Sequence, residues 1–376
     1  MKNIIFTLLL VTTSLTAQKA DDLKKVIHTF KFQPNCIAIN KSDTELLIGG
    51  ENEKVIRFNL TNSKVIQEIN AHYQPLANVK YSNIHDGFYT VGDRSFKLWM
   101  TGEEKPKIIY TGSHTNITDW ATTPDEDVFV GGSYGKNFRF WVPSKNAEPT
   151  EIKTSQKKSV ISVAVSNNKK TIAAGSLDST IELWDIATQT RKLKILAHDQ
   201  PVGCLEFIKG GKYLLSASHD GYAKLWDAET GNNIRVFNGQ AQSINAISIS
   251  PDNRFLLAGT WDGFICLFAI STGDLIYKFH HHKAPVWDLT WSNKGDGFYS
   301  CDKEGELVRW TVTKELVVNY YFSEDINNEL KDNRLFAPKR KQESKDDYKT
   351  RQKKAMDFKQ ELIDRYYKQV LEMIVT

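Results

Sequence analysis

Three observations predict an all-β fold, a closed propeller of seven blades followed by an α-helical tail. A short pattern, an apolar pair followed by small residues, a turn and an alternating strand, occurs seven times. Its copies begin about 42 residues apart, the spacing of four-stranded blades. After Phe322 the pattern stops and charged residues without Gly or Pro take over most of the remaining chain.

The copies are Leu46-Leu47-Ile48-Gly49-Gly50, Phe88-Tyr89-Thr90-Val91-Gly92, Val128-Phe129-Val130-Gly131-Gly132, Ile172-Ala173-Ala174-Gly175-Ser176, Leu214-Leu215-Ser216-Ala217-Ser218, Leu256-Leu257-Ala258-Gly259-Thr260 and Phe298-Tyr299-Ser300-Cys301-Asp302. Each reads as the second strand of a blade. The fullest copy shows the whole unit: an inner strand Val202 to Phe207, a polar turn, Tyr213 to Ser218, a tight turn at Asp220-Gly221, a third strand ending near Trp226, and an outer strand Ile234 to Phe237. Turns such as Pro251-Asp252-Asn253 and Pro124-Asp125-Glu126 supply the backbone angles that a reversal needs. One blade cannot bury both of its faces alone, so seven are expected to close into a ring. Two segments compete to complete the last blade, Val26 to Lys31 and Val317 to Phe322. The first is favoured, because it ties the ends of the ring together and hides an open strand edge.

Trp184-Asp185 and Trp226-Asp227 end third strands, and here the chain resembles the WD-repeat family over residues 24–322. The resemblance implies a buried hydrogen-bonded relay in the fifth blade, formed by His198, Ser218, Asp220 and Trp226, with a structural role. Elsewhere the pattern departs: Gln156 and Gln240 stand where His is expected, Asp302 and Glu304 replace Ser and Asp, and Phe58 and Phe268 replace Trp. These departures leave the fifth blade as the fullest match to the relay.

With 49 basic and 45 acidic side chains the chain carries a net charge of +4, too balanced for a nucleic-acid or anionic-membrane footprint. The apolar run Ile4 to Val11 and the polar stretch Thr12 to Gln18 read as a secretory signal peptide over 1–17, cleaved after Ala17. The run is too short to span a bilayer. A periplasmic protein of bacterial type is expected, a secreted one as second choice. Cys36, Cys204, Cys266 and Cys301 sit inside apolar strand patterns and read as buried free thiols.

Nothing in the chain forms a catalytic constellation: there is no GxSxG elbow, phosphate loop or HExxH. The run His280-His281-His282 invites a metal, but His282 fits the relay position and no set of ligands at metal spacing accompanies it. No enzyme activity, cofactor or metal is expected. A protein-binding face is better supported. Tyr134, Leu177, His219, Trp261 and Lys303 precede the second turn of their blades, and with Tyr73 they are expected on one face of the ring, as aromatic anchors or as rings lying flat on a neighbouring blade. The expected role is a scaffold of the cell envelope, in secretion or outer-membrane assembly, monomeric within a hetero-complex of other envelope proteins. An enzyme or small-ligand receptor using the central channel around Asn78, Asp119 and Asp288 is the alternative, and an extracellular adhesin a third reading.

The tail, 323–376, carries thirteen basic and eleven acidic side chains. Asp325 to Asn333 reads as a linker and the segment from Glu343 as a helix. Leu362, Ile363, Tyr366, Tyr367, Val370, Leu371 and Ile374 form an apolar stripe at three- and four-residue spacing. It must dock on the propeller, on a partner, or on a second copy. Phe336-Ala337-Pro338-Lys339 with Glu343, Tyr348 and Arg351 resembles a short C-terminal extension of some exported bacterial repeat proteins and peptidases.

Overall fold

Each copy of the repeat becomes one antiparallel sheet of four strands in the computed structural model, which describes residues 20–111, 115–142, 149–239, 242–331 and 333–374. The signal-peptide segment and Gln240 lie outside the described residues. The chain forms two compact units, one over Val26–Arg309, the other joining the segments on either side of it, with Trp310–Thr376 as its larger part.

Strands are numbered in chain order. The first strand of each blade lies innermost: β2 (Pro34–Ile39), β6 (Leu76–Tyr81), β10 (Ile117–Thr122), β14 (Val160–Val165), β18 (Val202–Ile208), β22 (Ile244–Ile249) and β26 (Val286–Trp291). These seven touch one another in that order, and β26 returns to β2, so the ring is closed. The last blade is completed by the N-terminal strand β1 (Lys24–Thr29), which pairs with β28 (Glu306–Thr311). The competing segment Val317 to Phe322 is helical.

Every inner strand carries a register shift after its first residue. Such a bulge re-aims the side chains that follow it, and here they reach the neighbouring blade. Thr118 Oγ1 donates to the Val160 carbonyl at 2.8 Å, Ser162 Oγ to that of Val202 at 2.8 Å and Asn245 Nδ2 to that of Val286 at 3.2 Å. Asp119 accepts the Val163 N–H at 2.9 Å, and Asp288 accepts that of Ile37 at 2.7 Å, which joins the seventh blade to the first. Between these strands the blades pack through apolar clusters; one holds Ala173, Ile181 and Leu183 of the fourth blade against Leu214 and Trp226 of the fifth. Gly49 permits such an approach, since a Cβ there would lie 2.8 Å from Cys36 Sγ and 2.9 Å from Leu76 Cδ2.

In the third blade the repeat is offset from its sequence reading. Phe129, not Val128, pairs with the third-strand residue Trp141, as Leu214 pairs with Trp226 in the fifth. All four cysteines are free thiols; Cys36, Cys266 and Cys301 are buried and Cys204 half-buried.

In the other unit the chain continues as helix α1 (Lys314–Lys331), so Asp325 to Lys331 is not linker but helix, and the strands end at Thr311, short of Phe322. Helix α2 (Lys345–Met373) follows, capped by Ser344, whose hydroxyl accepts the Asp347 N–H at 3.0 Å. The two helices pack on each other. Lys359 bonds Glu315 at 2.7 Å, Tyr366 donates to Glu329 at 2.8 Å, and its ring lies 4.8 Å from that of Phe322, where α1 is kinked. Leu362, Ile363, Val370 and Ile374 are buried and Tyr366 and Tyr367 half-buried. The segment around Phe336-Ala337-Pro338 has a structural explanation of its own: Arg351 donates to the carbonyls of Leu335 at 2.9 Å and Ala337 at 2.6 Å while pairing with Glu343 at 2.8 Å. No helix of the described residues is long and apolar enough to cross a membrane.

Candidate functional site

The hydroxyl at the centre of the fifth-blade relay belongs to Ser216, not Ser218. Ser216 Oγ lies 2.8 Å from His198 Nε2 and accepts the Trp226 indole N–H at 2.8 Å, while His198 Nδ1 lies 2.9 Å from Asp220. Ser218 shapes the turn instead, donating to the Gln200 carbonyl and accepting the Asp220 N–H, both at 3.1 Å. Side chains alternate along a strand, so residues 216 and 218 share a face, and only 216 lies opposite Leu205, deep enough to meet both rings.

The relay is not confined to the fifth blade. In the second, His72 bonds Thr90 Oγ1 at 2.9 Å and Asp93 at 3.1 Å, and Trp99 donates to the same Thr90 oxygen at 2.9 Å. In the seventh, His282 bonds Ser300 at 2.7 Å and Asp302 at 2.9 Å. Histidine and hydroxyl are 18 residues apart in all three, whereas histidine and acid are 21, 22 and 20 apart. The constant interval was the legible signal. The acid interval drifts because the acid stands at a different place in each blade: Asp93 opens its turn, Asp220 is the second residue of its turn, and Asp302 ends the second strand itself. In the fourth blade Gln156 donates instead to the carbonyls of Ala174 at 2.9 Å and Thr180 at 3.0 Å, and the buried Glu182 takes the Trp184 N–H at 3.2 Å.

Burial lowers the pKa of His72 and His198, against the partial opposition of Asp93 and Asp220. For Asp220 burial pushes upward, but His198 and two backbone N–H groups outweigh it and hold the carboxyl low. Both nitrogens of His282 are engaged in its relay. Although His282, Asp302 and Glu306 converge, a metal there would have to displace the bond to Asp302. His280 stacks on Phe264 at 4.5 Å, away from that cluster's bonds.

The relays stand beneath one end of the ring, where the turns between second and third strands and the links between blades emerge. The six candidate face residues come from these segments. Tyr73 is 85% exposed, Tyr134 62% and Trp261 46%; His219 and Lys303 are exposed and Leu177 half-buried. They are spread over separate blades. Trp261 meets an inner-strand residue of the next blade: its ring stands edge-on to Trp287 at 5.9 Å, and the buried Trp287 indole N–H has no partner among the described residues. Lys97 lies 5.8 Å from the centre of the Tyr73 ring.

Asn78, Asp119 and Asp288 line the channel at the third position of their strands. Asn78 donates to Asp119 at 3.4 Å. Burial pushes Asp119 up to about 6 and Asp288 up to about 7. The ordinary aspartate pKa of about 3.9 is the unfolded reference, so between that value and about 7 the folded protein binds the extra proton and stability falls as pH rises. Asp288→Asn keeps an acceptor for the Ile37 N–H and removes this dependence. Denaturant unfolding of both proteins at about pH 5 and about pH 8 should show the variant gaining on the parent by about 1–2 kcal/mol. A pH-independent difference would mean that Asp288 titrates normally. The relay histidines act in the opposite sense: their lowered pKa costs stability as pH falls through about 6.5.

Comparison with known proteins fits this architecture. Residues 30–267 match the β-propeller described as nucleolar protein 10-like, N-terminal domain, and residues 273–311 match the WD domain, G-beta repeat. Among curated proteins the chain is 23% identical over 185 residues to pre-mRNA-processing factor 19 of Oryza sativa subsp. japonica, covering 48% of this chain and 35% of that protein. It is 18% identical over 185 residues to cilia- and flagella-associated protein 52 of Mus musculus, covering 48% and 30%. Over 53 residues it is 45% identical to p21-activated protein kinase-interacting protein 1-like of Danio rerio, 14% of each chain. The chain thus spans about a third or less of the length of these relatives. With 30–267 matched to one family and its last blade to the G-beta repeat, the chain belongs to the nucleolar protein 10-like family of WD-repeat β-propellers.

Proposed function

We propose that this protein is a non-catalytic interaction scaffold, exported to a bacterial cell envelope, where its relay-braced face holds a protein partner of a secretion or outer-membrane assembly complex. The observation that carries the binding role is the exposed aromatic set Tyr73, Tyr134 and Trp261, with the unpartnered Trp287 N–H beside Trp261. Large rings on rigid turns lose little entropy on binding, and a buried donor without a partner favours an incoming carbonyl. Propellers of this family are generally non-catalytic, and the name of the fish relative describes an interacting protein. Export rests on the apolar run Ile4 to Val11 and the short polar stretch after it. The relatives come from a plant and two animals, so compartment needs its own measurement.

Affinity capture from gently solubilised envelopes tests the scaffold. The double variant Tyr134→Ala, Trp261→Ala should lose the captured proteins while its thermal midpoint drops by no more than a few degrees. Retention of the partners by the variant would move the contact off this face. Fractionation with N-terminal sequencing tests export, and an uncleaved cytoplasmic protein would overturn that half of the proposal.

A further inference from the structure

The inner strands present two tiers of side chains to the channel, from their third and fifth positions, because alternate residues share a face. In β6 these are Asn78 and Lys80, with Val79 turned into the apolar core; in β18 they are Cys204 and Glu206, with Leu205 in the core. Ala38, Ala121, Ala164, Ser248 and Thr290 hold the fifth position in the other blades. The lower tier therefore consists of five small side chains and two long ones of opposite charge.

Lys80 and Glu206 stand in the second and fifth blades, across the ring from each other. Neither makes a hydrogen bond or an ion pair with a described residue. Their nearest compensation is through space: Lys80 feels Glu126 first and Glu206 second. Glu126 is itself occupied, accepting from Ser82 Oγ at 2.9 Å and from Tyr89 at 2.6 Å. Burial depresses the lysine and pushes Glu206 up to about 7. Both side chains are half-buried, so each keeps a face open to solvent and to a ligand. A molecule that reaches both satisfies the two ends, and the other five side chains at this position are all shorter than these two.

We propose that the lower tier of the channel is a binding site for a small zwitterion of the amino-acid class, its carboxylate on Lys80 and its ammonium on Glu206. The ligand completes two half-made ion pairs with charge-assisted hydrogen bonds. Selectivity comes from the fixed separation of the two strands: a molecule whose charges are too close reaches only one partner, and a longer one must buckle. The site is independent of the aromatic face, so either can fail without the other.

The series glycine, β-alanine, 4-aminobutyrate and 5-aminopentanoate increases charge separation one methylene at a time. Isothermal titration of the full chain at neutral pH should show one preferred length, with acetate and methylamine, which carry one charge each, binding at least about tenfold more weakly. Lys80→Met and Glu206→Gln should each reduce that affinity by about tenfold or more, with the unfolding transition kept cooperative. The double exchange Lys80→Glu, Glu206→Lys should restore it with the ligand reversed. No saturable binding of any member to the parent chain, or binding that both single variants retain, would overturn the proposal. Partner capture by Glu206→Gln should match the parent, which separates this result from the fate of the scaffold reading.

Discussion

Trp226→Ala is expected to lower the free energy of unfolding by about 3–5 kcal/mol, the usual loss for a buried aromatic. The ring is 5% exposed and packs with Leu183 of the preceding blade and Leu214 of its own. Its N–H ends on Ser216 Oγ at 2.8 Å, and His198 stands edge-on to it at 6.4 Å. Removing the ring opens a cavity between two blades and leaves Ser216 and His198 with a broken network. Trp226→Phe, which keeps most of the ring but not the N–H, should cost about 1–3 kcal/mol. Urea unfolding followed by circular dichroism measures both. Equal losses would place the whole effect in the hydrogen bond and none in packing.

Removal of residues 20–31 should have the larger effect, because it takes out the strand that closes the ring. Phe30 is buried with Phe58, Leu46 and Leu307, and its N–H donates to the Gly305 carbonyl at 2.8 Å. Phe30 alone carries about 3–5 kcal/mol, and a domain has only about 5–15 kcal/mol in all. The shortened chain would also expose the edge of β28, an open template for strand pairing. Soluble aggregate on size-exclusion chromatography and loss of a cooperative melt are the expected results. A monomer that melts as the parent does would show that closure does not depend on β1.

The number of blades and their order were legible in the sequence because their causes are local. Period-two alternation, small residues in second strands and Asp, Asn and Gly at reversals act within ten or so residues. The face positions were legible for the same reason: Tyr134, Leu177, His219, Trp261 and Lys303 hold one register in turns of similar build. The tail was read less well. An apolar stripe on α2 demanded a cover, but Val317 to Phe322 alternates no worse as a strand than as a helix, and only the pairing of α1 with α2 decides it.

The relay shows where local reasoning stops. His198, Asp220 and Trp226 were identifiable, yet the choice between Ser216 and Ser218 depends on depth between two sheets, which adjacent residues of one strand pattern do not reveal. The acids of the second and seventh blades were hidden because they stand elsewhere than Asp220, Asp93 opening its turn and Asp302 ending its strand, although the 18-residue interval from histidine to hydroxyl ran unbroken through all three. Lys80 and Glu206 carried no motif at all. Each is an ordinary charged residue at the end of an inner strand, and only ring closure sets them across a channel.

The sequence by itself thus determined the repeat, its period and the chemistry of its turns, since these follow from hydrophobic alternation and backbone preference over short distances. The tertiary structure decided which side chains meet across blades, Asp288 with Ile37, 251 residues apart, and Trp261 against Trp287, and it settled that β1 completes the last sheet. Those meetings depend on strand twist, bulges and the closing of seven sheets upon one another, none of which is encoded at any single position.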